Sequence, residues 1–209
     1  MSAAQQTPVA PLPASGPAYA KYKNKFYIQG GSIGPKIDHA TGQFFALDLS
    51  KPWTSESPAW IRLPDGPQKY DAGAAISLDG KIFYTSSSLF QPTAHRFFFE
   101  NNTWSISTTA LQESIYTVSP VTLETDGQVL ILGGYNENIT NMCHFYTFDT
   151  DQYVFTQLSP AAINGTQLVF EDYEAVWSRH LKQAVFIGGL GSSQGMTLYE
   201  PKSKKWEKM

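Results

Sequence analysis

One seven-residue pattern returns four times along the chain: Lys25 to Gly31 (KFYIQGG), Lys81 to Ser87 (KIFYTSS), Gln128 to Gly134 (QVLILGG) and Gln183 to Gly189 (QAVFIGG). The last residues of these segments lie 56, 47 and 55 residues apart. A period of about 50 residues means stacked supersecondary units, none of which can bury its apolar faces alone. That excludes a single helical or doubly wound core. Each segment is four or five strand-favouring residues ended by small ones, so the unit is built on strands.

The flanks fill in the unit. An apolar strand and a short turn precede each segment, as in AAISLDGKIFY and PVTLETDGQVLIL, where Asp79-Gly80 and Asp126-Gly127 are hairpin signals because glycine supplies positive φ. After each segment comes an aromatic strand and a polar turn that leads to a further ring: FFALDLS to Trp60, RFFFENNTW to Trp104, FYTFDTDQYVF to Phe155 and TLYEPKSKKW to Trp206. Four strands per unit are expected, about sixteen in four antiparallel sheets, with those rings at equivalent places. Two windows carry helical spacing, Leu111 with Ile115 and Val118, and Leu168 with Tyr173, Val176 and Trp177. The repeat register outvotes both.

A glycine pair closing the second strand and a tryptophan-like ring on the fourth resemble the kelch motif of β-propellers, over residues 18–209. The resemblance implies an all-β fold, four four-stranded blades over about 18–63, 70–106, 115–158 and 170–209, and a Pro/Ala-rich lead-in at 1–17 that reads as extended or disordered. Blade two departs by carrying Ser86-Ser87, so its corner should be strained or routed differently. KFYIQGG and FFALDLSKPW also look like extracellular kelch proteins of fungi, whose propellers usually have more blades. That implies a fragment of a larger propeller, with a closed four-bladed ring as the alternative.

Composition narrows the partner. Hydrophobic residues make up 42%, aromatics 14% and charged residues only 16% of 209, with a net charge of -3. Nucleic acid binding needs a basic face for the phosphates, and this chain has no such excess. Its longest apolar run, around Val129–Leu132, is far short of a membrane span. The N-terminal stretch has no secretory-signal pattern. A single cysteine, Cys143, leaves no intramolecular disulfide and no multi-cysteine metal site.

The kelch resemblance extends to the galactose oxidase superfamily, which raises the possibility of a carbohydrate oxidase. Its copper radical site would need two tyrosines, a cysteine and two histidines near the axis. Cys143 and His144 are adjacent at the start of a third strand, and His180 falls in a first-to-second-strand turn. No catalytic residue, metal site or cofactor is therefore expected. His39 and His95 each lie 8 residues past their anchors, with His144 10 past. On splayed blades these are too far apart for one metal and read as turn histidines on the binding face.

Tyr70, Tyr116 and Tyr173 precede their anchors by 17, 18 and 16 residues, just ahead of three innermost strands. They should ring the channel mouth beside Asp71, Glu171, Asp172 and Glu174, as a rim for protein or sugar or as plugs of the channel. Asn-x-Thr sequons stand at Asn101, Asn138 and Asn164, where chance gives about one, an excess that favours secretion. The expected function is a non-catalytic binding scaffold for protein or glycan partners, extracellular or at the cell surface, which can also self-associate through open propeller edges. A degenerate oxidase and a cytosolic kelch adaptor are the competing classes.

Overall fold

The computed structural model describes residues 10–34, 39–86, 93–110, 118–133, 145–149, 154–158, 162–170, 172–188 and 195–209. Four antiparallel sheets each run in simple sequence order. The first blade holds β1 (Ala18–Tyr22), β2 (Lys25–Gln29), β3 (Phe44–Asp48) and β4 (Trp60–Leu63). The second holds β5 (Ala74–Ile76), β6 (Ile82–Thr85), β7 (Thr93–Phe98) and β8 (Thr103–Ala110). The third holds β9 (Val121–Thr122), β10 (Val129–Leu132), β11 (Phe145–Asp149) and β12 (Val154–Leu158). A short hairpin, β13 (Ala162–Ile163) and β14 (Thr166–Gln167), leads to the fourth blade: β15 (Tyr173–Ser178), β16 (Gln183–Gly188), β17 (Met196–Glu200) and β18 (Lys205–Lys208). The arrangement is a four-bladed β-propeller with β1, β5, β9 and β15 innermost.

Successive blades are joined by buried faces. Tyr27, Phe44 and Ala46 of the first blade pack on Ala74, Ile76, Phe83 and Phe97 of the second. The second meets the third through Ala75 and Tyr84 against Val129, Ile131 and Phe148, with Tyr84 and Phe148 stacked at 4.6 Å. Leu130 and Leu132 of the third face Ala175, Phe186 and Tyr199 of the fourth. Alternate residues of a strand point to opposite faces, so a blade with neighbours on both sides is apolar throughout: β6 and β10 are buried at every position. That is why the recurring segments read as unbroken apolar runs.

The four rings occupy equivalent ladder positions. Trp60 stands opposite Leu47, Trp104 opposite Phe97, Phe155 opposite Phe148 and Trp206 opposite Tyr199. Trp104 lies 5.2 Å from the ring of Phe44 on the preceding blade and donates its indole N–H to the Pro64 carbonyl (3.0 Å). The hairpin signals act as expected: Gly80 and Gly127 have φ of 77° and 79°, and the Asp79 and Asp126 carboxylates accept the N–H groups of Lys81 and Gln128. The β13–β14 hairpin is not anticipated by the repeat. The helical spacing from Leu168 to Trp177 resolves into an extended segment and β15, while Leu111 and Ile115 lie outside the described residues.

The corner after the second strand takes two forms. In blade one, Gly30 and Gly31 adopt φ of 75° and 87°, and the Gly31 N–H donates to the Lys69 carbonyl (2.7 Å). A Cβ on Gly30 would stand 2.6 Å from that oxygen. In blade two, Ser86 has no positive φ; its N–H donates to the Gly73 carbonyl (2.9 Å) and its Oγ accepts the Gly73 N–H (2.9 Å). The Ser86 carbonyl accepts from the Lys69 ammonium, which also donates to the Thr93 carbonyl (2.6 Å). The corner is thus rerouted around a lysine that is 1% exposed.

The lead-in is extended and docked where it is described. Ser15 exchanges backbone hydrogen bonds with Ser32 (3.0 and 2.9 Å), and the Gly16 carbonyl accepts the Asp71 N–H (2.9 Å). Leu12 exchanges hydrogen bonds with the Gln43 side chain (2.8 and 3.0 Å).

Candidate functional site

Antiparallel meanders place the starts of all innermost strands at one end of the axis. At that end the chain forms a cup of about 280 Å³, walled by Gly16 and Pro17 of the lead-in, Tyr19, Asp71, Ser119, Asp172 and Glu174. Asp71 and Asp172 sit just ahead of β5 and β15 with φ of 53° and 51°, a left-handed conformation that aspartate tolerates better than most residues. Glu174 ties three blades together. Its Oε1 accepts from the Tyr19 hydroxyl of blade one, and its Oε2 from the Ser119 hydroxyl (2.9 Å) at the edge of blade three. Ser119 Oγ in turn accepts the Ala175 N–H (3.0 Å).

The electrostatics of the cup are one-sided. Among the described residues, three carboxylates line it and no lysine or arginine does. Burial raises the Asp71 carboxyl above the usual carboxylate range and the charge of Asp172 adds to this, while a hydrogen bond from Tyr70 opposes it. Burial, then the bond to Glu174 and its charge, push the Tyr19 phenol up to about 12. The phenol is therefore a neutral donor at physiological pH. Such a cup offers convergent acceptors and a half-exposed ring, suited to hydroxyl or ammonium groups of a ligand.

The expected rim is realised in part. Asp71 and Asp172 line the cup, and Tyr70 is half-buried beside it, hydrogen-bonded to Asp71 and Ser15. Tyr173 begins β15 as expected and borders the cup, but it is corrected as an exposed rim residue: it is 5% exposed, and its hydroxyl donates to the Leu132 carbonyl of blade three. Its ring is part of the junction between blades three and four. Tyr116, Glu171 and Asn138 lie outside the described residues, as do Cys143 and His144. His39 is exposed in the β2–β3 loop, and the Ile33 N–H donates to its carbonyl.

His95 is also corrected. It lies within β7 opposite Thr85 and Ile106, and burial and then the charge of Lys69 lower its imidazole to about 4. Asn101 and Asn164 are exposed in turns, Asn101 accepting from the Thr103 N–H (3.2 Å) and hydroxyl (2.6 Å). His180 is exposed in the β15–β16 turn, at the other end of the channel.

Sequence reasoning missed Tyr19 and Ser119. Tyr19 lies in a stretch that reads as ordinary strand alternation, and Ser119 in an unmarked Ser-Pro step. Their common signal is position at the start of an innermost strand.

No protein-family model matches the chain, and no curated protein does either. Among solved structures 208 chains match, a breadth that marks an architecture and not an activity. One of them, described as "Structure of YjhT", is similar over 96% of this chain and 66% of that chain, with 14% sequence identity and a TM-score of 0.71. The chain thus spans just under two thirds of that structure's length. At that identity the likeness is one of fold alone.

Proposed function

We propose that the protein is a kelch-type binding scaffold, part of a larger propeller and non-catalytic, that takes protein or glycan partners at the cup. One observation carries this reading: Tyr19, Asp71, Ser119, Asp172 and Glu174, drawn from four blades, converge on a single concavity. The repeat segments and equivalent rings support the kelch assignment, and the 66% coverage of the matched structure supports further blades. The sequons at the exposed Asn101 and Asn164 support a secreted or cell-surface location.

The test is a glycan array and surface peptides probed with the wild type and with Asp71→Asn/Asp172→Asn. Ligand recognised by the wild type should be lost by the variant, with thermal unfolding little changed. Equal binding by both would move the site elsewhere. Copper uptake with peroxide release from galactose would favour the oxidase reading. Expression through a eukaryotic secretory route should give a mass that falls on glycosidase treatment, and no shift would favour the cytosolic adaptor.

A further inference from the structure

Tyr19, Ser119 and Glu174 form a polar bar across the axis, and beneath it the channel opens into a second space of about 850 Å³. Ligand pockets for small molecules run from about 300 to 1,000 Å³. The lower chamber lies within that range and the cup lies just under it. Its walls are apolar and aromatic, with Phe26 from the first blade and Val176 and Trp177 from the fourth. Val176 is 50% exposed, on the face of β15 turned away from blade three.

Charge in this chamber has the opposite sense to the cup. The first-to-second-strand turns close its lower end, bringing Lys23 and Arg179 to the opening with Lys21 just above. Two carboxylates line the chamber among the described residues: Glu124, engaged by Arg179 at 2.7 Å, and Glu174 in the bar above. Lys23 holds its ammonium 5.1 Å from the centre of the Tyr22 ring. Glu174 in the bar repels an anion from the upper end. A ligand with a negative group is therefore oriented, its charge at the turns and its apolar body upward against Phe26, Val176 and Trp177.

We propose that the lower chamber is a binding site for a small amphipathic anion, a compact aryl or alkyl body bearing one carboxylate, sulfonate or sulfate. It lies across the bar from the cup and shares Tyr19, Ser119 and Glu174 with it. The lysines supply a field that falls with ionic strength, and the walls supply a contribution that does not.

Titration of the full chain with naphthalene-2-sulfonate, followed through the indole N–H resonance of Trp177, tests this. The sulfonate should shift that resonance and bind at least about tenfold more tightly than naphthalene-2-sulfonamide, with 2-naphthylmethylammonium weaker still. Inorganic sulfate should compete poorly. Lys21→Glu/Lys23→Glu should abolish the preference for the anion, whereas Lys202→Glu/Lys204→Glu, with the same change of charge on the β17–β18 turn, should not. The milder Lys21→Gln/Lys23→Gln pair should give the same ordering with a smaller effect.

Equal affinity for the three naphthyl probes would overturn the anion preference. Competition by sulfate as strong as that of the sulfonate would reduce the site to a bare cationic patch and overturn it as well. A Trp177 resonance unmoved by any probe in the millimolar range would remove the site altogether.

Discussion

The same repeat position is solved by two chemistries in adjacent blades. At the blade-one corner, backbone freedom does the work: Gly30 and Gly31 turn left-handed, and the absence of a side chain lets the Lys69 carbonyl approach. At the blade-two corner Ser86 keeps ordinary backbone angles, and the Lys69 side chain satisfies the carbonyls that result. Lys69 therefore serves both corners, its main chain one and its amine the other. A glycine corner is insensitive to pH, whereas a buried amine hydrogen-bonded to carbonyls is not. The difference shows that a repeat can lose its signature residues where a neighbouring side chain replaces their hydrogen bonds.

The largest effect should come from titrating the second corner. Burial lowers the Lys69 amine from 10.5 to about 7, so between pH 7 and 10.5 the unfolded chain holds a proton that the folded one has released. Stability then rises with pH across that window, by up to about 1.4 kcal/mol per unit, and is flat for this group below it. His95, lowered to about 4, adds a second rise between pH 4 and 6.5 by the same sign. Urea unfolding of the wild type and of Lys69→Met across pH 5 to 10 checks this, since the variant should lose the upper rise.

Breaking the first corner should cost slightly less. Gly30→Val combines left-handed strain with a clash against the Lys69 carbonyl, about 2–4 kcal/mol together, and should show as a lower urea midpoint at every pH. Outside both corners, Tyr173→Phe leaves the Leu132 carbonyl without its buried donor, a loss of about 1–2 kcal/mol in the same assay. The smallest effect sharpens the contrast most. Ser86→Gly removes the acceptor of the Gly73 N–H, and a loss of about 1 kcal/mol or less with the pH slope intact would show that Lys69 holds this corner without the serine hydroxyl.

The repeat, the four-stranded unit and the equivalent rings were legible because they are periodic. Buried strands are largely apolar, with a few buried polar positions such as Gln29 and Thr85, and Trp104 and Trp206 sit at the same ladder position in their blades. The site was less legible. Counting back from the anchors to Tyr70, Tyr116 and Tyr173 passes through first-to-second-strand turns of different lengths, residues 77–81 in blade two, 123–128 in blade three and 179–182 in blade four. The count still reaches the start of β15 at Tyr173, but it does not say which way a side chain faces: the Tyr173 ring is buried against blade three, and Tyr19 is overlooked.

What the sequence determined by itself is the local order: which segments are strands, where Asp79-Gly80 and Asp126-Gly127 turn the chain, and which faces must find a partner. Those depend on backbone sterics and on alternation over a few residues. The tertiary structure alone decided that Tyr19, Ser119 and Glu174, more than fifty residues apart, meet in one bar across the axis. It also decided that Lys69, an unremarkable loop lysine in the sequence, is buried between blades. A hydrogen bond or a desolvated amine depends on distances between segments remote in the chain, and no property of one strand records where the next blade will stand.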